Sequence, residues 1–285
     1  MTRRVGLLGK PLRRRHSQVM HDAAFDAAGI DARYVLLELD EEAVGPAVAA
    51  ARGPDWLGLG VTAPYKRLVA GLLDEIEPAA QVIGAVNNAV RTGDGRLVGF
   101  NTDAPGFRAG VELALGRPLA GLTVVVAGAG GAAHAVVHAL LEAGVAELTV
   151  GNRSVETAAT MLDRFRAVGD GARRAVGLED PGFATALRSA DLAVNATSVG
   201  MISAGATIDV ALLGPEATVF DLVYVPAETP LLAAARARGL RAANGSEMLI
   251  AQAAAAFERW TGVAGMADVM RAAVAPLLAD PTAAA

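Results

Sequence analysis

Two charged side chains, Lys66 and Asp103, stand where the sequence predicts the ends of structural elements. A strand predicted to end at Gly60 passes into the turn that carries Lys66, and Asp103 follows a predicted hairpin. Loop residues at such ends often do chemistry beside a cleft. Lys66 could move a proton, and Asp103 could hold the ammonium group and share the transfer. A surface lysine and a helix-capping aspartate explain the same residues.

A glycine-rich loop follows the apolar segment 122–127, whose β-branched residues predict a strand buried on both faces. The loop opens a predicted helix, so its backbone could approach a pyrophosphate, whose charge the helix amides and dipole favour. Its spacing differs from G-x-G-x-x-G because Ala133 takes the third small position, and a tight turn is the alternative. The surrounding strand and helix favour dinucleotide binding. The residues of this candidate site are Gly128, Ala129, Gly130, Gly131 and Ala132.

The turn after the next predicted strand indicates whether the dinucleotide is NAD or NADP. A site for NAD usually has an acidic residue there for the ribose 2′-hydroxyl, and 151–154 has none. Arg153 could instead pair with a 2′-phosphate, helped by Asn152 and Ser154. We therefore predict NADP, with NAD possible, and the alternative is a solvated arginine.

The elements that must position these residues alternate between strand-like and helix-like patterns, which predicts an α/β fold with a mostly parallel sheet. The turn-rich segment between 85–90 and 97–100 predicts a hairpin. Domain boundaries are expected near Pro105 and Ala243. Further strands are predicted at 5–8, 34–39, 56–60, 147–150, 191–194 and 219–222, and helices at 19–28, 43–51, 104–115, 155–168, 229–238 and from about 244 onward.

Composition excludes several classes of protein. The 285 residues are 53% hydrophobic, which excludes a disordered chain, and the absence of cysteine excludes disulfides and thiolate chemistry. The 25 basic and 30 acidic side chains give a net charge of −5, unlike a nucleic-acid-binding protein. No apolar run is long enough to predict a membrane span, so the expected location is the cytoplasm.

A histidine pair is the one candidate for a metal site. His134 and His138 are four residues apart on a predicted helix, but Ala135 stands where a zincin would need glutamate. Two histidines without a third ligand are more often packing residues, so no metal is predicted.

Gln252 lies in an apolar helical stripe with Leu249, Ala256 and Trp260. An unmatched buried amide costs about 1–3 kcal/mol, so Gln252 needs a polar partner. A bound polyol or a backbone group could be that partner. Asn87 likewise stands where an apolar residue would continue a strand, and a satisfied turn asparagine is its alternative.

A series of ordered motifs resembles the shikimate dehydrogenase family, which includes quinate dehydrogenase and related paralogues. The resemblance covers about 5–269, and the order of the motifs makes it specific. The motifs are Val61-Thr62-Ala63-Pro64-Tyr65-Lys66, Gly84-Ala85-Val86-Asn87, Asn101-Thr102-Asp103, Gly128-Ala129-Gly130-Gly131-Ala132, Asn152-Arg153-Ser154, Asn195-Ala196-Thr197-Ser198-Val199-Gly200-Met201, Asp221-Leu222-Val223-Tyr224-Val225-Pro226 and Gly245-Ser246-Glu247-Met248-Leu249-Ile250-Ala251-Gln252.

The resemblance implies reversible, NADP-dependent reduction of 3-dehydroshikimate, a cyclohexene carboxylate, by a monomer or homodimer. It implies a substrate domain at 1–104, completed by helices at 244–285, and a Rossmann-type doubly wound domain at 105–243. Lys66 and Asp103 match the family's catalytic pair. Ser17, Thr62, Asn87, Tyr224 and Gln252 match its substrate-binding positions. Beside the glycine-rich loop and the Arg153 turn, the implied coenzyme contacts are Asn195, Thr197, Met201, Gly245 and Met248.

The chain departs from the family pattern chiefly where the substrate carboxylate binds. The family has two hydroxyl residues there, and this chain has Arg15 and Ser17. Arg15 could pair with the carboxylate bidentately, point into solvent, or indicate a different acid. Quinate and an amino-substituted shikimate are alternative substrates, and a nucleotide-binding regulatory module without turnover is an alternative function. Further departures are Gln18, Gly60, Asn88 and Thr157, where the family commonly has proline, asparagine, threonine and a basic residue.

Overall fold

The computed structural model describes residues 2–12, 14–203 and 205–279, and it confirms the α/β prediction. Its strands are β1 (Arg3–Gly9), β2 (Ala32–Glu38), β3 (Trp56–Val61), β4 (Glu75–Ile76), β5 (Asn88–Arg91), β6 (Leu97–Phe100), β7 (Thr123–Ala127), β8 (Glu147–Asn152), β9 (Ala172–Gly177), β10 (Leu192–Asn195), β11 (Thr218–Asp221) and β12 (Arg241–Asn244). Its helices are α1 (His16–Ala27), α2 (Glu41–Ala50), α3 (Lys66–Ala70), α4 (Pro78–Ile83), α5 (Asp103–Leu115), α6 (Gly131–Glu142), α7 (Val155–Arg164), α8 (Pro181–Ser189), α9 (Pro230–Ala237), α10 (Ser246–Thr261) and α11 (Ala267–Ala279).

The chain divides into two compact units, each with its own sheet. Unit 1 is formed by Met1–Thr102 and Ile250–Ala285, and unit 2 is Asp103–Leu249. Unit 1 is therefore discontinuous in sequence, and its second part begins inside α10. None of the helices described in the structure has the length and apolar character needed to cross a membrane.

The sheet of unit 1 has the order β2-β1-β3-β5-β6-β4. Strands β1, β2 and β3 are parallel, whereas β5 pairs antiparallel with both β3 and β6. The hairpin prediction is confirmed, although its first strand begins at Asn88 rather than at 85. At Ala85 the backbone carbonyl accepts from the side chain of Asn101 at 2.9 Å instead of from a neighbouring strand.

Trp260 of α10 closes the core of unit 1 over β3. Its indole Nε1 donates to the carbonyl oxygen of Ala89 at 3.0 Å, and its ring is buried. A Cβ at Gly58 would lie 2.1 Å from that oxygen and 2.7 Å from Nε1. The close approach of the helix therefore requires glycine at this position of the strand.

The sheet of unit 2 is wholly parallel, in the order β12-β11-β10-β7-β8-β9. Both faces are covered, since Val125 packs in a cluster with α8 and α9 while Phe220 contacts Phe107 of α5. The chain runs outward from β7 to β9 and returns to β10 on the other side of β7. This strand order places a topological switch point at the carboxyl ends of β7 and β10, where doubly wound folds bind ligands.

Capping chemistry explains where the helices of unit 2 begin. Thr229 caps α9, because its hydroxyl accepts the amide of Leu232 at 3.3 Å and Pro230 occupies the first turn. The predicted helix 155–168 is too long and ends at Arg164, after which Phe165 adopts a non-helical conformation.

Candidate active site

A tightly held turn carries Lys66 at the end of β3. The amide of Thr62 donates to the carbonyl of Leu8 at 2.8 Å, and the buried Tyr65 donates its hydroxyl to the carbonyl of Leu39 at 2.7 Å. Lys66 is the next residue, is half-buried and begins α3. The sequence placed Lys66 and Thr62 in such a turn, and the structure adds the two anchors that fix its backbone.

Unit 1 also brings together a cluster of amide and hydroxyl side chains. Asn87, Asn88 and Thr102 are buried, with 5%, 4% and 3% of their surfaces exposed, and Gln252 is half-buried. The amide nitrogen of Asn87 lies 3.0 Å from the Thr102 hydroxyl, which lies 3.3 Å from Oε1 of Gln252. Asn87 and Gln252 are predicted site residues 165 positions apart, and their side chains are within 3.5 Å.

Sequence reasoning gave no role to Asn88 and Thr102 in this cluster. A signal was available, because two consecutive asparagines stand at the start of a strand whose next residues are apolar. Burying both amides without partners would be costly, so a polar network had to surround them.

Arg15, which departs from the family pattern, directly precedes α1 and contacts a residue of that helix. Arg15 is exposed, and its Nε donates to Oε1 of Gln18 at 2.9 Å. The amide of Gln18 donates in turn to the carbonyl of Tyr34 at 3.1 Å. Two of the chain's departures therefore contact each other. Ser17 lies between them in sequence and is half-buried.

The glycine-rich loop of unit 2 fits the pyrophosphate of a dinucleotide. Gly128 has a φ of +111°, which favours glycine, and a Cβ there would lie 2.8 Å from Cγ2 of Thr197. Gly130 caps α6 without a side chain, and a Cβ at Gly130 or Gly131 would meet no heavy atom within 4 Å. The exposed amides at the start of α6 are thus sterically open to a phosphate, with Ala129 and Ala132 as the small flanking residues.

The turn after β8 presents Arg153 as an exposed cation. Ser154 caps α7 by accepting the amide of Thr157 at 3.2 Å and donates its hydroxyl to Glu156 at 2.9 Å. Asn152 donates to the carbonyl of Ser154 at 3.0 Å. The pKa of Glu156 is lowered by a hydrogen bond from its own backbone amide and by the Ser154 hydroxyl. Because Ser154 and Asn152 are engaged locally, Arg153 is the principal donor of this turn.

Asn195 organises the loop at the end of β10. Its Oδ1 accepts from the hydroxyls of Thr197 and Thr207 at 2.7 and 3.0 Å, and from the amide of Thr197 at 3.1 Å. Its Nδ2 donates to Oδ1 of Asp221 at 2.8 Å and to the carbonyl of Val199 at 3.2 Å. Both ends of this buried amide are therefore used to shape the loop that contains Thr197.

Asp221 is a fully buried carboxylate at the end of β11. Burial raises its pKa, and hydrogen bonds from Thr229, Val223 and Asn195 oppose the increase. Thr229 donates to Oδ2 at 2.7 Å and the amide of Val223 donates to Oδ1 at 3.1 Å. These contacts hold the segment that leads to Tyr224, which is half-buried.

The remaining predicted residues lie at other points of unit 2. Asp103 is half-buried and begins α5, directly after Thr102. Gly245 passes close to β11, where a Cβ would lie 2.3 Å from the carbonyl oxygen of Leu222. Met248 is half-buried, whereas 43% of Met201 is exposed.

The two histidines of α6 have packing contacts. His134 and His138 lie edge-on to Phe165, with ring centroids 6.2 and 6.0 Å away. Within residues 2–12, 14–203 and 205–279, no three histidine, aspartate or glutamate side chains come together as a metal site would require.

Three family models match successive parts of the chain. Residues 7–89 match the shikimate dehydrogenase substrate binding domain, 112–206 match shikimate / quinate 5-dehydrogenase, and 245–275 match the shikimate 5′-dehydrogenase C-terminal domain.

Individual relatives cover almost the whole chain. The shikimate dehydrogenase (NADP(+)) of Geobacter metallireducens is 41% identical over 272 residues, covering 95% of both chains. Shikimate 5-dehydrogenase of Thermus thermophilus, solved with NADP(H) and shikimate, has a TM-score of 0.82 at 36% identity, covering 95% of this chain and 99% of that one. Quinate dehydrogenase of Corynebacterium glutamicum, solved with NAD, has a TM-score of 0.89 at 36% identity, covering 97% and 99%.

Proposed function

The chain belongs to the shikimate dehydrogenase family, and from that premise we propose that it reduces 3-dehydroshikimate reversibly to shikimate with NADPH. It is an NADP-dependent oxidoreductase, as its relatives at about 40% identity are. The observation that carries the proposal is the buried cluster of Asn87, Thr102 and Gln252 in unit 1. Gln252, the half-buried member of this cluster, has an amide that suits a hydroxyl group of a polyhydroxylated ring.

Lys66 is proposed to deliver the proton that the reduction requires. NADPH, when bound, supplies the hydride to the ring ketone. Lys66 donates its proton to the developing alkoxide oxygen, and Asp103 holds the ammonium group in place. The anchored turn before Lys66 supports this role, because a proton donor must have a fixed position to act in the transition state.

The substrate's hydroxyl and carboxylate groups are assigned to six residues, five of them in unit 1. Asn87, Gln252 and Thr62 would bind the hydroxyl groups together with Tyr224 of unit 2. Ser17 and Arg15 would bind the carboxylate. The hydrogen bond from Arg15 to Gln18 supports this, because it restrains the Arg15 side chain at the start of α1, where Ser17 also lies. We assign unit 1 to the substrate on this basis.

Unit 2 is assigned to the coenzyme. The open turn from Gly128 to Ala132 would hold the pyrophosphate, and Arg153 would bind the 2′-phosphate. Thr197, Met201, Gly245 and Met248 are assigned to the nicotinamide end. The buried, fully used amide of Asn195 supports a role in positioning Thr197 rather than a direct contact. Cytoplasmic location and a monomeric or homodimeric state stay predictions.

A panel of substrates tests the proposal. The purified protein is assayed with shikimate, quinate and an amino-substituted shikimate, each with NADP and with NAD, by nicotinamide absorbance. We expect the highest kcat/KM for shikimate with NADP. A higher value for quinate would favour the quinate dehydrogenases, to which the chain is also similar. Coenzyme binding without any oxidation would overturn the proposal in favour of a regulatory module.

A further inference from the structure

The direction of every hydrogen bond in the cluster around Asn87 follows from one backbone amide. The N–H of Thr102 can only donate, and it lies 2.9 Å from Oδ1 of Asn87. Asn87 therefore presents its oxygen to that amide and its nitrogen to the Thr102 hydroxyl, 3.0 Å away. The atom of Asn88 that lies 2.8 Å from the same Asn87 oxygen must also be a donor, which fixes it as Nδ2.

Asn88 influences Gln252 through the hydroxyl group of Thr102. Its Nδ2 also lies 2.9 Å from the Thr102 hydroxyl oxygen, so both protons of the amide are used. The hydroxyl oxygen then accepts from Asn87 and from Asn88, which fills its two lone pairs. Its own proton is left to donate to Gln252 at 3.3 Å, and the facing atom must be the acceptor Oε1. Nδ2 of Asn87 faces the same oxygen at 3.5 Å as a second donor.

We propose that Asn88 is a positioning residue that holds Gln252 with its Nε2 group as the donor toward the substrate. The inference rests on the proposed function, because it assigns Gln252 to a substrate oxygen. It goes further by stating the polarity of that contact. The substrate group at Gln252 is an acceptor, such as a hydroxyl oxygen. Asn88, buried behind the site, contributes to this polarity by directing the proton of the Thr102 hydroxyl to Oε1 of Gln252, which also lies 3.5 Å from Nδ2 of Asn87.

The number of protons on residue 88 distinguishes this chain from the family pattern. A threonine, common at this position, has one hydroxyl proton and can donate to Asn87 or to Thr102, but not to both. Asparagine donates to both. The two donations fix the Asn87 amide and the Thr102 hydroxyl at the same time.

Two substitutions change the number of donors at this position. Asn88→Thr keeps one donor, and Asn88→Asp keeps the shape of the side chain but puts a carboxylate oxygen opposite Oδ1 of Asn87. Gln81→Glu is the matched control, because it makes the same amide-to-acid change on the exposed face of α4 in the same unit. The readouts are KM and kcat for the acid of the panel that the wild type oxidises, KM for NADP, and thermal unfolding.

We expect Asn88→Asp to raise the KM for the acid about tenfold or more, the effect of about one lost hydrogen bond to a polar partner. The kcat should stay within about threefold and the KM for NADP should not change. Asn88→Thr should fall between wild type and Asn88→Asp, and Gln81→Glu should match the wild type. In a Gln252→Leu background, Asn88→Asp should raise KM little further, because both act through one contact.

An unchanged KM in a folded Asn88→Asp protein would overturn the inference, and so would an effect that adds in full to that of Gln252→Leu. If Asn88→Asp does not fold, Asn88→Thr is tested in its place. A KM for the acid equal to that of the wild type in Asn88→Thr then overturns the inference. A wild type that oxidises no acid contradicts the proposed function instead. In that case a crystal structure of Asn88→Thr tests the positioning role of Asn88. Retention of the Thr102 to Gln252 hydrogen bond in that structure would count against the inference.

Discussion

Lysine is rare in this chain, and that rarity bears on the role of Lys66. Among 25 basic side chains, Lys10 and Lys66 are the two lysines, and arginine supplies the other positive charges. Lys10 forms an ion pair with Asp40, which raises the pKa of Lys10. Arginine keeps its proton at all working pH values, whereas lysine can release one. A lysine at position 66 therefore favours proton transfer over a purely electrostatic role.

Lys66→Arg tests that distinction because it keeps the charge and removes the transferable proton. We expect kcat to fall by about 10²–10⁴-fold, equivalent to about 3–5 kcal/mol, with a small change in KM. Steady-state kinetics with Lys10→Arg as the matched control makes the measurement. A large rise in KM with normal kcat would remove Lys66 from the chemistry.

Arg153 is the residue on which the preference for NADP should depend. Arg153→Ala removes the principal donor of the turn after β8, so kcat/KM for NADP should fall about 10- to 100-fold, as for a lost hydrogen bond to a charged group. The value for NAD should change little. Arg166→Ala, an exposed arginine of the same unit, is the control. Equal losses for both coenzymes would argue against a contact with the 2′-phosphate.

Helices α1 and α10 meet strand β2 around a buried histidine. The His21 ring lies 4.5 Å from that of Tyr34 and 5.1 Å from that of Trp260, measured between centroids. Its Nδ1 donates to the carbonyl of Ser17 at 3.0 Å, and Nε2 finds no hydrogen-bond partner among the described residues. Burial lowers the pKa of His21 to about 3. The packing of these three elements therefore requires a neutral imidazole.

This packing predicts that unit 1 loses stability in mild acid. The unfolded chain binds a proton at His21 near its ordinary pKa of about 6.5, and the folded chain does not until about pH 3. Stability is therefore complete above the unfolded pKa and falls as the pH drops, by about 2 kcal/mol between pH 7.5 and 5. Urea unfolding followed by tryptophan fluorescence reports on unit 1, since Trp56 and Trp260 both lie there.

His21→Leu should reduce this pH dependence, because it removes the histidine whose pKa is lowered to about 3. Part of the dependence should remain, because burial also lowers the pKa of His16 in the same unit. His134→Leu, a half-buried histidine of unit 2, should keep the wild-type dependence. If His21→Leu and the wild type lose equal stability between pH 7.5 and 5, the histidine is not the origin of the effect.

Across the whole molecule, burial decided which elements could be predicted from the sequence. The inner strands β7, β10 and β11 are almost wholly buried and contain short runs of adjacent apolar residues, and the sequence located all three. The outer strands β9 and β12 were missed. They contain Arg173 and Arg241 and have no such run, since an edge strand is only partly covered.

The candidate site divides in a similar way. Lys66, Asp103 and the glycine-rich loop were predicted because each lies in a short contiguous motif. The contacts of Asn88 and Thr102 could not be predicted, because they join segments far apart in sequence. The Thr102 to Gln252 hydrogen bond spans 150 residues, and only the fold brings its partners together.

The discontinuity of unit 1 has a consequence for how the chain is made. Trp260 reaches Ala89 across 171 residues, and its ring covers Gly58. A ribosome completes every strand of the middle unit before it adds α10 beyond residue 249. Until then, the N-terminal sheet emerges without the helix that seals it. The sheet of unit 2 is therefore the first that can fold completely on the nascent polypeptide. Unit 1, although its first part is translated first, is the last to be completed.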